Sequence, residues 1–163
     1  MNTLLLILFV VVASFVFGHF AAYAVHRFLH TDISKGLAKS HEVHHDLYPV
    51  SDFEDDIYRS SGNDDSSFVF VPILTLAMMG FFLPVAWLTG AWWIYAIVIG
   101  EGVFFGIIND RMHDAFHKKN HWLNRFNCFR RLKHLHWKHH DEPRFNHGII
   151  WFVPDKVFKT FKS

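Results

Sequence analysis

Histidine placement constrains this chain more than any other feature. One pattern occurs twice: His26-Arg-Phe-Leu-His30 then His41-Glu-Val-His44-His45, and His113-Asp-Ala-Phe-His117 then His136-Trp-Lys-His139-His140. Each copy reads HxxxH followed by HxxHH, and each closes on an aspartate, Asp46 or Asp141. Together they use ten of the fourteen histidines. Residues three and four apart share a helix face, so each box aims its imidazoles one way. A lone HxxxH is weak evidence for a metal. Here the spacing is helical, the order repeats, and apolar and aromatic residues are interleaved. Imidazole suits zinc, copper, iron and nickel. Ten converging imidazoles exceed what one ion can bind, so the pattern predicts two metals sharing a site.

The rest of the chain says where that site lies. Half the residues are hydrophobic, and phenylalanine and tryptophan are abundant, which is a membrane composition for so short a chain. Three apolar runs are long enough to cross a bilayer or nearly so: 4–25, 68–88 and 91–108. The first has no basic leader and no small-residue cleavage site, and reads as a retained anchor whose helix continues through His30. Thr89-Gly90 is the turn of a hairpin between the second and third runs, with Trp92 and Trp93 at interface level. The predicted fold is therefore an all-α integral membrane protein, one domain over 1–163, with about three transmembrane helices plus interfacial helices.

Parity then puts the segments after the first and third runs on the same side, and those segments hold both histidine copies. They also hold every lysine and arginine, so the positive-inside rule places the site at the cytoplasmic face of a bacterial inner membrane or an ER-type membrane. The basic residues after Arg111 adjoin the membrane, which favours anionic headgroups over nucleic acid. The region 120–135, with Trp122, Phe126 and Phe129 among arginines, reads as an interfacial helix. The acidic run Asp52 to Asp56 and the stretch Ser60 to Ser67 read as exposed loop, without calcium-loop spacing. Gly148 to Val153 is too short to span and is expected to dip into the interface or pack on the site. The single cysteine, Cys128, excludes an intramolecular disulfide and any cysteine-based zinc or iron–sulfur site.

A metal pair beside a bilayer suits an oxidant better than a hydrolase. Zinc would supply a Lewis acid or an activated water. Two irons could reduce dioxygen to an oxidant able to attack an unactivated C–H bond of a lipid, and oxygen concentrates in lipid. The order HxxxH, HxxHH, HxxxH, HxxHH resembles the fatty acid hydroxylase superfamily of sterol desaturases, sphingolipid fatty-acid hydroxylases and carotenoid ring hydroxylases. The ending agrees: Asn146-His147-Gly148-Ile149-Ile150, then Asp155-Lys156-Val157-Phe158-Lys159-Thr160, is similar to that family's NxGV…DxLFGT tail. His147 departs from the aromatic residue usual there.

The resemblance implies a histidine-ligated di-iron site, with zinc as a substitute in purified protein, and dioxygen as co-substrate. The ligands it implies are His26, His30, His41, His44, His45, His113, His117, His136, His139 and His140, with no division between metals. Asp110 and Asp114, with Asp46 and Asp141, are candidates to accept hydrogen bonds from the ligands' outer N–H groups. Glu101 lies within a hydrophobic run, where an ionisable group is costly, and is expected to bond another span or a polar group of substrate. No nucleotide fingerprint is present, so electrons are expected from a separate ferredoxin, or a cytochrome with its reductase, docking on the basic segment. The leading expectation is a lipid C–H hydroxylase. Carotenoid ring hydroxylation and lipid desaturation are the alternatives on the same site. A metal transporter is the alternative of another class, but it should place ligands inside the spans near the midplane, and only His19 and Glu101 lie within the hydrophobic runs while the boxes lie outside.

Overall fold

The computed structural model describes residues 3–32, 39–59 and 66–163, with the side chains of 66–70 left aside. It is helical throughout; among the described residues no strand forms, and Asp55 and Lys118 make an isolated bridge. Three long helices build the apolar end: α1 (Thr3–Leu29), α3 (Ser66–Thr89) and α4 (Ile94–Phe116). Three shorter ones carry the polar end: α2 (Lys39–Leu47), α5 (Asn127–Asp141) and α6 (Val153–Val157).

Two helices are long and apolar enough to cross a membrane, Thr3–Leu29 and Val71–Thr89. Only 33% and 22% of their most apolar windows are buried, whereas the core helix of a soluble protein would be mostly covered. Leu8, Phe9, Leu76, Phe81 and Trp87 instead point outward from the bundle. The third run differs from expectation. Ala91 to Trp93 belong to the turn, Gly90 takes φ +65 there, and α4 starts at Ile94. This helix carries Glu101 in mid-course and Asp110 and Arg111 near its end, so it bears ionisable groups where a plain span would be apolar.

Helices α3 and α4 form an antiparallel hairpin packed closely enough that glycine is needed. A Cβ on Gly106 would lie 2.9 Å from Val71 Cα, and one on Gly102 would lie 3.0 Å from Thr75 Cα. Two glycines four apart are a small-residue face that lets backbones approach. Helix α1 lies along α4 in parallel. The Ser14 hydroxyl hydrogen-bonds the Glu101 carboxyl, and Gly18 faces Phe105, both at an offset of 87 residues. The same offset relates His26 to His113 and His30 to His117. The register that packs α1 on α4 therefore brings the two HxxxH boxes to one height. Val10, Leu74, Met78, Phe82, Ile94 and Val98 fill the core between the three helices.

Several local expectations change. Helix α1 stops at Leu29, and His30 closes a tightened turn through its N–H to Arg27 O, 3.2 Å. Helix α4 likewise stops at Phe116, and the His117 N–H bonds Asp114 O at 3.2 Å. Each HxxxH thus straddles a helix end. The interfacial helix expected over 120–135 is broken: a 3-10 turn, Trp122–Arg125, leads to extended backbone at Phe126, and α5 begins only at Asn127. The acidic run is not loose loop either. Asp52 and Asp55 pair with Arg59, Glu54 pairs with Lys133, and Phe53 is buried. Its neighbour stretch 60–65 lies outside the described residues. The segment Gly148 to Val153 packs inward, with Ile149 and Phe152 buried and Trp151 against His19.

Candidate metal centre

Four helices and their ends aim imidazoles into one polar core above the bundle. Nine histidines fall into two groups, each with one ring nitrogen per residue within 4.8 Å of the others. The first group is His26, His30, His41 and His139; the second is His44, His113, His117, His136 and His140. His45 lies between them, its ring 4.9 Å from His30 and from His41, 5.0 Å from His139, and stacked 4.1 Å from His140. All ten histidines of the boxes therefore meet.

The grouping is not copy by copy. His41 stays with its own HxxxH while His44, one helical turn on, reaches the other group. In the second copy His136 and His140 stay, and His139 crosses. Spacing alone cannot show this, because the crossing depends on how α2 and α5 lie across the gap between α1 and α4.

The ring nitrogens carry the chemical argument. Nδ1 of His26 meets the His147 carbonyl at 2.6 Å, His117 that of Phe53 at 2.9 Å, His139 that of Phe145 at 2.7 Å, and His140 that of Tyr48 at 2.8 Å. A carbonyl only accepts, so in these four rings Nδ1 holds the proton and Nε2 is a bare lone pair. These lone pairs converge. Nε2 of His26 is 3.1 Å from that of His41, His41 is 2.9 Å from His30, and His30 is 3.0 Å from His139. In the second group His117 and His136 approach at 3.1 Å. Protons on His30 and His41 could satisfy only part of this chain. Nitrogens about 2.1 Å from a common ion, at right angles to one another, stand about 3 Å apart, so the spacing fits a shared cation.

Buried nitrogens of His44, His45, His113, His136 and His140 have no hydrogen-bond partner. Leaving such groups unpaired costs about 1–3 kcal/mol each, which a metal would relieve. Burial first, and the neighbouring imidazoles second, hold His41, His44, His136 and His139 well below the usual histidine range. Burial takes His30 and His113 down to about 4 and His140 to about 3. The rings are thus neutral at pH 7 with lone pairs available, the state a metal requires.

Asp46 and Asp141 are exposed. Asp110 acts on His113 through its charge, opposing the effect of burial. The Asp114 charge is felt at Tyr48, whose ring stacks 4.0 Å from His117. The resolved acceptors behind the rings are peptide carbonyls, which no residue type announces in a sequence. Outside the groups, His121 caps the 3-10 turn, His134 stacks on Trp137, and His19 sits among Phe15, Phe105 and Trp151. His147 joins neither group, although its ring lies 5.4 Å from that of His139 and its carbonyl orients His26.

The family model described as fatty acid hydroxylase matches residues 11–160. The chain belongs to the fatty acid hydroxylase family. The match spans every box and the tail through Thr160, so both histidine groups fall inside the family's own domain. No curated protein and no solved structure matches it. Membership makes a metal-dependent oxidoreductase the frame for this buried histidine cluster and its two candidate membrane helices.

Proposed function

We propose that the ten histidines hold two iron ions and that the protein is a membrane oxygenase hydroxylating an unactivated C–H bond of a lipid. The observation that carries this is the pair of adjacent, buried imidazole groups at the end of a bundle whose exposed flanks are apolar. His45 completes the first set, since three of its four nearest rings belong there and its Nε2 is buried without a partner. Each set then holds five imidazoles, one of them donated by the other copy.

When bound, the iron pair supplies activation of dioxygen at a site from which bulk water is excluded. The protein's own part is positional. Carbonyls of Tyr48, Phe53, Phe145 and His147 fix the tautomers of four ligands, and Tyr48 and Phe53 wall the second set against solvent. Helices α1, α3 and α4 all cross the bilayer in this reading. Glu101 is accommodated by Ser14 of α1, and the distribution of lysines and arginines supports a site on the cytoplasmic side. Electrons come from a separate acidic donor docking near the exposed Arg130 and Arg131 on α5. A charge reversal of both arginines should slow donor-dependent turnover.

The test is iron content of detergent-purified protein from iron-replete cells, with mass analysis of the host lipids. Near two irons per chain, falling in a His139→Ala, His140→Ala variant, with a lipid that gains one oxygen atom, is the expected result. One metal or none in folded protein would overturn the dinuclear reading.

A further inference from the structure

The two metal groups are oriented by different stretches of chain. In the second group, His117 and His140 donate to the carbonyls of Phe53 and Tyr48, between α2 and α3. In the first, His26 and His139 donate to the carbonyls of His147 and Phe145, between α5 and α6. The second loop has little regular structure of its own, so something must hold those two peptides in place.

The C-terminal tail does so. Asn146, at φ 55, donates its backbone N–H to Thr160 O at 2.8 Å. Its side chain donates to Lys162 O at 2.8 Å and accepts from the Lys162 N–H at 2.9 Å. Asp155 is fully buried. Its carboxylate accepts the backbone N–H groups of His147 and Gly148, both at 2.8 Å, and the Thr160 hydroxyl at 2.9 Å. The fit leaves no room for a side chain at 148, where a Cβ would stand 2.8 Å from Asp155 Oδ2. A buried carboxylate is costly unless its lone pairs are filled. These donors fill them, and Gly148 N–H belongs to the same peptide as the His147 carbonyl that orients His26, His147 N–H to the peptide before it.

We propose that Asp155, with Asn146 and Thr160, is a positioning clasp for one metal of the pair: it fixes the carbonyls that orient His26 and His139 and leaves the second group untouched. The inference rests on the reading that each group holds an ion. Its experiment uses the full chain in detergent, stripped with chelator and titrated with cobalt(II), whose visible bands report each binding step. The wild type should take two ions. In Thr160→Val and Asp155→Asn one step should weaken by about 10–100-fold, the usual penalty for losing support behind a ligand, while the other keeps its affinity. Thr160→Ser should restore it. Added to His136→Ala, Thr160→Val should weaken the step that remains; added to His26→Ala, it should leave the remaining step unchanged. If Asp155→Asn fails to fold, Thr160→Val carries the comparison. Folded variants with both steps unchanged, or both weakened alike, would overturn the clasp. A wild type taking fewer than two ions would overturn the metal reading and the clasp together. Two ions without lipid oxidation would overturn only the proposed reaction.

Discussion

A single methyl group at position 106 should damage the metal centre from a distance. An alanine there brings Cβ to 2.5 Å from Val71 Cγ2 and 2.9 Å from Val71 Cα. The side-chain contact can relax by a rotamer change; the backbone contact cannot. Ordinary contact begins near 3.4 Å, so α3 and α4 must part by roughly 0.5 Å at this level. Overpacking of this kind costs about 1–3 kcal/mol. Replacing a helical glycine returns about 0.5–1 kcal/mol, leaving a net loss of about 0–2.5 kcal/mol, centred near 1. His113 is two turns further along α4, about 10 Å away. Metal–ligand distances tolerate only about 0.2 Å, so even half the displacement would matter. Gly100→Ala is the control, because nothing lies within 4 Å of its Cβ. It should leave stability unchanged or raise it. Thermal unfolding in detergent and cobalt(II) titration should show Gly106→Ala less stable and weaker in metal, and Gly100→Ala neither. Equal behaviour of the two variants would refute the claim that hairpin packing sets the height of His113.

The crossing of ligands predicts a double-variant pattern: His44→Ala with His136→Ala should remove one ion, whereas His44→Ala with His26→Ala should remove both. If the site were assembled copy by copy, those outcomes would exchange. In metal-free protein, stability should fall with acid. His113 titrates near 4 when folded and near 6.5 when unfolded, so between these values the unfolded chain binds a proton that the folded one refuses. Its contribution is complete above pH 6.5 and is lost as pH drops toward 4, about 3 kcal/mol from this residue alone, with His140 extending the loss to about 3 on the pH scale. Denaturant midpoints at pH 7 and pH 5 check this, and equal midpoints would sink it.

Much of the site was legible because histidine at helical spacing is a sparse signal. The ten residues of the boxes could be named, and their number pointed to two ions. Their division could not, since His44 and His139 cross for reasons of helix placement that no local spacing encodes. The carbonyl acceptors were invisible for a simpler cause: every residue has a carbonyl, and only the fold selects Phe53 or Phe145. Adjacency to a ligand on a helix turns a side chain away from it, as Asp46 and Asp141 show by their exposure. The tail was recognisable as a pattern, but Asp155 reveals its work only when its three donors are seen together. Among the helices, α1 and α3 stood out by hydropathy, while α4 blurred because the helix that bears His113 must also carry Glu101, Asn109 and Asp110.

Helix α3 has no ligand, yet the arrangement depends on it. Helices α1 and α4 must both run toward the site so that each delivers a histidine pair at its C-terminal end, where His30 and His117 leave the helix. A chain that ends one helix at the site can repeat the operation only after returning to the far end, and α3 makes that return. Its packing then sets the height of the second delivery. Gly102 and Gly106 lock α4 to α3, and Gly18 and Ser14 lock α1 to α4 at the same 87-residue offset that separates the boxes. Lengthening the turn at Gly90 would leave these contacts intact, whereas one residue inserted between Gly106 and His113 would rotate the second pair by about 100° and aim it out of the site. Metal binding should therefore survive an insertion in the turn and fail with one in the last turns of α4.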